Sequence, residues 1–192
     1  RPYCTRDTSP VANLEAARAP GAARHSKLLI GLMFVGFISL GLPDGLLGVA
    51  WPSIAADKGV GLDALGSLLV AGTAGFLAAS VLSGRLLARL GVGLLLAASC
   101  AATALALIGY ALAPGWWALL PLAALLGAGG GAIDAGLNTY AAATTTPRVL
   151  TWLHACYGVG ATAGPAIMAA ALGAGQPWQL GYAAVGAAQL AL

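Results

Sequence analysis

Charge is what this sequence has least of. Of its 192 residues only 8% are Asp, Glu, Lys or Arg, whereas soluble domains carry roughly 25%, so an ordinary water-soluble domain is excluded. The nine basic residues outnumber the six acidic ones and give a net charge of +3. They are scattered, however, and form no run able to track a phosphate backbone, which excludes nucleic acid as a partner. Cysteine is nearly absent. Cys4, Cys100 and Cys156 stand alone, none in a CxxC pair, so neither a disulfide frame nor a zinc site is indicated, and small buried residues are expected. No Ser-His, HExxH or paired-cysteine constellation lies in the apolar stretches, so the chain does not read as an enzyme and calls for no metal or cofactor. Residues 1–26 mix Arg, Ala, Pro and Ser without the apolar centre that a secretory signal needs; a disordered cytoplasmic tail is expected there. The chain opens on Arg1 rather than Met and closes on AAQLAL within an apolar run, and both ends are expected to be cut.

What is abundant is apolar length. Hydrophobic residues make up 59% and the mean hydropathy is +0.87. A bilayer core about 30 Å thick needs roughly 20 helical residues, and five windows of that kind run from Leu28 to Ile54, Leu65 to Leu87, Val92 to Ala113, Trp116 to Ala142 and Val149 to Leu172. A sixth starts near Pro177 and reaches Leu192, an incomplete span. With the tail inside, eight of the nine basic residues (Arg1, Arg6, Arg18, Arg24, Lys27, Arg85, Arg89 and Arg148) fall on the cytoplasmic side and Lys58 outside, as the positive-inside rule requires. Trp51, Trp116, Trp117 and Trp178 then lie near the outer interface, where amphipathic rings settle. The expected location is therefore a cell membrane, the bacterial inner membrane, with the N-terminus cytoplasmic.

Two acids interrupt these windows: Asp44 in LPDGLLGVAWP and Asp134 in GAGGGAIDAGLNTY. A carboxylate in hydrocarbon costs on the order of 3 kcal/mol even on a lenient scale, so such positions mark ion or substrate paths. At 100° per residue Gly127, Gly131, Asp134 and Asn138 fall within about 60° of one another. Phe37, Gly41, Asp44, Gly48 and Trp51 fall within about 80°, with Pro43 placed to bend the helix there. Both acids are expected to face protein. A rise of 1.5 Å per residue puts Asp44 about 24 Å from Leu28 and Asp134 about 15 Å from the cytoplasmic end of its span, which predicts two separated sites on one internal path. Small residues four apart, Gly127 with Gly131, Gly160 with Gly164 and Gly75 with Ala79, predict close helix packing.

The strings LPDGLLGVAWPSI, GGGAIDAGLNTYAA and RVLTWLHACYGVGATAGP together resemble the major facilitator superfamily, and within it the fucose-permease-like sugar and proton symporters. The resemblance runs from Leu28 to the end and implies an all-α membrane protein, the N-terminal six-helix bundle of a twelve-helix fold whose C-terminal half is missing. In the superfamily's loop signature after the second helix, Gly84, Arg89 and Gly91 match and Arg85 adds a second cation, but Ala88 replaces the gating acid, and Val92 and Gly93 replace following basic residues. Gly160, Gly164 and Pro165 are similar to an antiporter element whose closing glycine pair is not supplied by Ile167 to Ala169. Asp44 and Asp134 occupy positions that look equivalent to the acids which bind or relay protons in the fucose-permease-like group.

A carboxyl removed from water favours its neutral form, so Asp134 is expected to bind and release the coupling proton and to contact solute. Asp44 is expected to relay protons to the outside. Asn138 offers an amide to sugar hydroxyls or to a neighbouring helix, His154 a proton relay or an interhelical hydrogen bond. Tyr157 joins them as a solute contact, and Trp51 is read either as a stacking surface for a sugar or as an interface anchor. The leading expectation is proton-coupled uptake of a small polar solute, a sugar, with the proton gradient as its energy source and the lipid bilayer as its medium. The alternatives are a proton-driven exporter of drugs or metabolites and, in another class, a non-transporting subunit or decayed fragment.

Overall fold

A computed structural model describes residues 20–191 of the chain, with side chains from residue 28 onward. The expectations on residues 1–19, most of the predicted tail and Cys4 included, lie outside the described residues. Among the described residues the fold is all helical. The elements are α1 (Pro20–Gly41), α2 (Leu46–Lys58), α3 (Leu62–Leu112), α4 (Trp116–Thr144), α5 (Pro147–Gly173) and α6 (Trp178–Leu190). The chain divides into a segment ending at Met33, of which residues 20–33, the first part of α1, are described, and a body from Phe34 onward. The main apolar core lies wholly within the body. Four helical stretches among the described residues, 28–58, 62–112, 116–144 and 147–173, are long and apolar enough to cross a membrane.

The first expected span is not one helix. Its backbone leaves the helix at Leu42 and re-enters it at Leu46, because Pro43 has no N–H to donate and Gly45 adopts the left-handed conformation, φ 77° and ψ −12°. Asp44 therefore sits in a turn rather than on the helical face predicted for it, its N–H bonded to the Gly41 carbonyl at 3.0 Å. Downstream, α2 ends on Gly59, φ 65°, with the Val60 N–H returning to the Ala55 carbonyl at 3.1 Å, a glycine stop that closes the last carbonyls.

The 51 residues of α3 fold back on themselves at Gly91, where φ 73° and ψ 165° lie outside any helix. Its packing partners on α4 reveal the reversal. Going up α4, Gly127 meets Gly72 and Gly131 meets Phe76 and Ser80, in the same order along both helices. Across the other face Leu122 meets Gly109, Gly129 meets Thr103 and Gly136 meets Leu95, in opposite order. The arms 62–90 and 92–112 thus run antiparallel past one helix. The reversal takes one residue, not the loop expected between Leu87 and Val92, and Gly84, Arg85 and Arg89 are helical and lie just before it.

Contacts this close are possible only without a side chain. A Cβ placed on Gly75, Gly127 or Gly131 would strike the backbone of the facing helix, and the same holds for Gly41, Gly160 and Gly164 where residues 38–42 cross α5. Between α2, the second arm of α3, α4, α5 and α6 lies an apolar core that includes Leu46, Ile54, Leu107, Leu119, Met168 and Tyr182.

Candidate functional site

The glycine contacts draw the helix backbones together at their crossings and leave a cavity of about 480 Å³ between them. Every element of the body reaches its wall. The broken turn supplies Asp44, α4 supplies Asp134, α5 supplies His154 and Tyr157, and α6 supplies Gln189. The two acids that sequence spacing placed apart thus share one cavity.

Each carboxyl has one hydrogen-bond partner among the described residues, and neither partner is a cation. The Tyr157 hydroxyl donates to Asp44 Oδ2 across a sequence separation of 113. Asn138 Nδ2 donates to Asp134 Oδ1 at 2.9 Å, one turn along the same helix. Asn138 thereby holds the acid and does not itself line the cavity. Among the described residues neither Lys nor Arg lines the wall; the one ion pair among them joins neighbouring Lys58 and Asp57 at 3.2 Å, and Lys58 also donates to the Ala113 carbonyl at 3.0 Å. Asp44 is exposed to the cavity and Asp134 half-buried. The His154 ring stands edge-on to Phe37, centroids 5.4 Å apart and planes at 89°, and remains open to the cavity.

Trp51 is placed elsewhere. It is buried, 7% exposed, against Trp116 with centroids 6.2 Å apart, so it does not face the cavity. Arg85, Arg89 and Gly91 lie at the α3 reversal, also away from it. Gly127 borders the cavity while Gly131, Gly160, Gly164 and Pro165 hold the helix crossings around it.

Sequence reasoning passed over Gln189. Its side chain is 1% exposed, and it forms a closed pair with Ser39. Ser39 Oγ donates to Gln189 Oε1, while Gln189 Nε2 donates to the Ser39 carbonyl at 2.7 Å. A signal was present: Gln189 is the lone strongly polar residue in GYAAVGAAQLAL, and an amide in an apolar run needs a partner on another helix. Tyr110 and Tyr182, stacked with centroids 4.8 Å apart, likewise reach the wall.

Chemically, the arrangement can bind protons and polar solutes. Two carboxyls stand in a largely apolar wall that carries no Lys or Arg among the described residues. Their neighbours offer hydroxyl, amide and imidazole groups for hydrogen bonding. Among the described residues no group of three or more His, Cys, Asp or Glu is placed to hold a metal ion.

Residues 33–192 match the family model of the Major Facilitator Superfamily. No curated protein matches the chain. With most of its length covered by that model and its helices apolar enough to cross a bilayer, this integral membrane protein belongs to the Major Facilitator Superfamily, whose members are transporters rather than enzymes.

Proposed function

We propose that the chain forms the N-terminal six-helix half of a secondary active transporter in the bacterial inner membrane, which takes up a small polar solute, a sugar, together with protons. In this reading the crossings are the broken α1–α2 pair, the two arms of α3, then α4 and α5, with the 13 residues of α6 as an incomplete sixth. The observation that carries the reading is that Asp44 and Asp134 line one cavity whose wall holds no Lys or Arg among the described residues. An ionised acid there is costly, so proton binding neutralises the cavity and favours the state that reorients across the membrane. The volume, about 480 Å³, suits a small solute, and His154 and the two acids offer partners to its hydroxyls. Alternating access takes two halves rocking about a midplane site; the solute's remaining contacts come from a C-terminal six-helix half. The distribution of basic residues supports a cytoplasmic N-terminus.

One observation favours a second reading. Phe37, Leu40, Leu69, Phe76 and Leu126 give the cavity a broad apolar wall, which would suit a proton-driven exporter of amphipathic compounds. Proteoliposomes carrying the full gene product separate the two. Under an inward proton gradient, accumulation of a labelled monosaccharide supports the symporter, and extrusion of a lipophilic dye alone supports the exporter. Movement of neither leaves a non-transporting membrane subunit as the remaining reading.

A further inference from the structure

The two cavity acids are held in different ways. Asp134 is bonded by Asn138, four residues along its own helix, so the pair moves as one body whatever α4 does. Asp44 is bonded from another element, by Tyr157 of α5. It also lies on non-helical backbone, the turn at residues 42–45, where Gly45 is left-handed. That turn is pressed on α5: Gly41 lies against the backbone of Tyr157 and Ala161, Leu42 against Gly164, and Gly45 against the Pro165 ring.

The other groups on the cavity do not replace this bond. Asp134 of α4 has its own amide, and His154 of α5 is packed edge-on to Phe37. Tyr110 of α3 and Tyr182 of α6 are stacked on each other and almost fully buried, at 2% and 1% exposure. Asp44 itself is exposed to the cavity. Without Tyr157 its carboxyl would have no hydrogen bond among the described residues and would be free to change rotamer.

We infer that Tyr157 is a positioning residue for Asp44 and not a solute contact: its hydroxyl, donated across from α5, fixes where the Asp44 carboxyl sits and ties that position to the spacing between α5 and the turn at residues 42–45. A shift of α5 relative to the turn then frees the Asp44 carboxyl and leaves Asp134 with its partner. The inference deepens the transport reading and rests on it only for what the Asp44 carboxyl does.

Infrared difference spectroscopy of the gene product in lipid vesicles tests the bond without any transport. The Asp44 carboxylate stretch is identified as the band lost in Asp44→Asn. In Tyr157→Phe, which keeps the ring and its packing, that band is expected to move to the position of a carboxylate without a phenol donor. Conversely, the Tyr157 ring C–O band is expected to move in Asp44→Asn, which leaves Tyr157 intact. If both bands stay in place, the inference is overturned. Uptake kinetics test the second half. Tyr157→Phe should leave the solute KM within about twofold of the parent's; a rise of about tenfold, as expected for a hydrogen bond lost to solute, would make Tyr157 a contact and refute the assignment. If the gene product moves no solute, the transport reading fails, and the bands still decide whether Tyr157 holds Asp44.

Discussion

Gly164 illustrates how single atoms govern this molecule. A methyl group added there would meet the Leu42 backbone, whereas at Gly158, six residues earlier on the same helix, it would meet nothing within 4 Å. Both sites are helical and neither has a positive φ, so local propensity treats them alike and the difference is packing. Gly164→Leu should therefore destabilise the protein by about 1–3 kcal/mol through overpacking. Gly158→Leu should be near neutral, with thermal unfolding in detergent comparing the two. Asn138 is a second case. Its amide is the one partner of Asp134 among the described residues, and Asn138→Leu removes that donor without touching the cavity wall. The expected outcome is impaired proton coupling with normal membrane insertion, read as proton movement per solute molecule in vesicles. Equal coupling in Asn138→Leu and the parent would separate Asn138 from the mechanism.

Among the elements, the reversal inside α3 rests on one residue. The Gly91 conformation, φ 73° and ψ 165°, is in a region essentially restricted to glycine, where a side chain costs about 1–3 kcal/mol. Gly91→Ala should lower thermal stability accordingly, while Gly93→Ala, in regular helix with open space around it, should be neutral or gain up to about 1 kcal/mol. Element order was legible in the sequence because apolar windows are local: Val92 and Trp116 head windows that coincide with the second arm of α3 and with α4. Pro43 was legible as a bend for the same reason, since the proline acts on its own backbone. The full break needed Gly45 as well, and its left-handed φ accompanies the docking of Pro165 upon it. Nor could local pattern place Tyr157 on Asp44 or Ser39 on Gln189, partners 113 and 150 residues apart. Such pairs exist only once the glycine crossings have set the helix spacing. The second of them ties α6 to the C-terminal part of α1; Gln189→Leu leaves the Ser39 groups unpaired and should cost about 1–2 kcal/mol, with faster amide exchange confined to α6.

For the whole molecule, the positive-inside argument gives a direct geometric forecast. Asp63 begins α3 and Arg89 lies just before its reversal, so the first arm separates them along its length. On the proposed orientation, an impermeant maleimide added outside intact cells should label Asp63→Cys and spare Arg89→Cys in a background lacking Cys4, Cys100 and Cys156. The reverse pattern would invert the topology. Asp134 sits on a glycine-rich face of α4, half-buried, bonded by the Asn138 amide and without an ion-pair partner among the described residues. The most direct measurement is proton uptake driven by solute entry into vesicles containing the full gene product, comparing the parent with Asp134→Asn. The amide is nearly isosteric and cannot titrate. The account predicts solute-dependent alkalinisation of the medium in the parent and none in Asp134→Asn at equal membrane expression; an undiminished proton flux in the variant would contradict it.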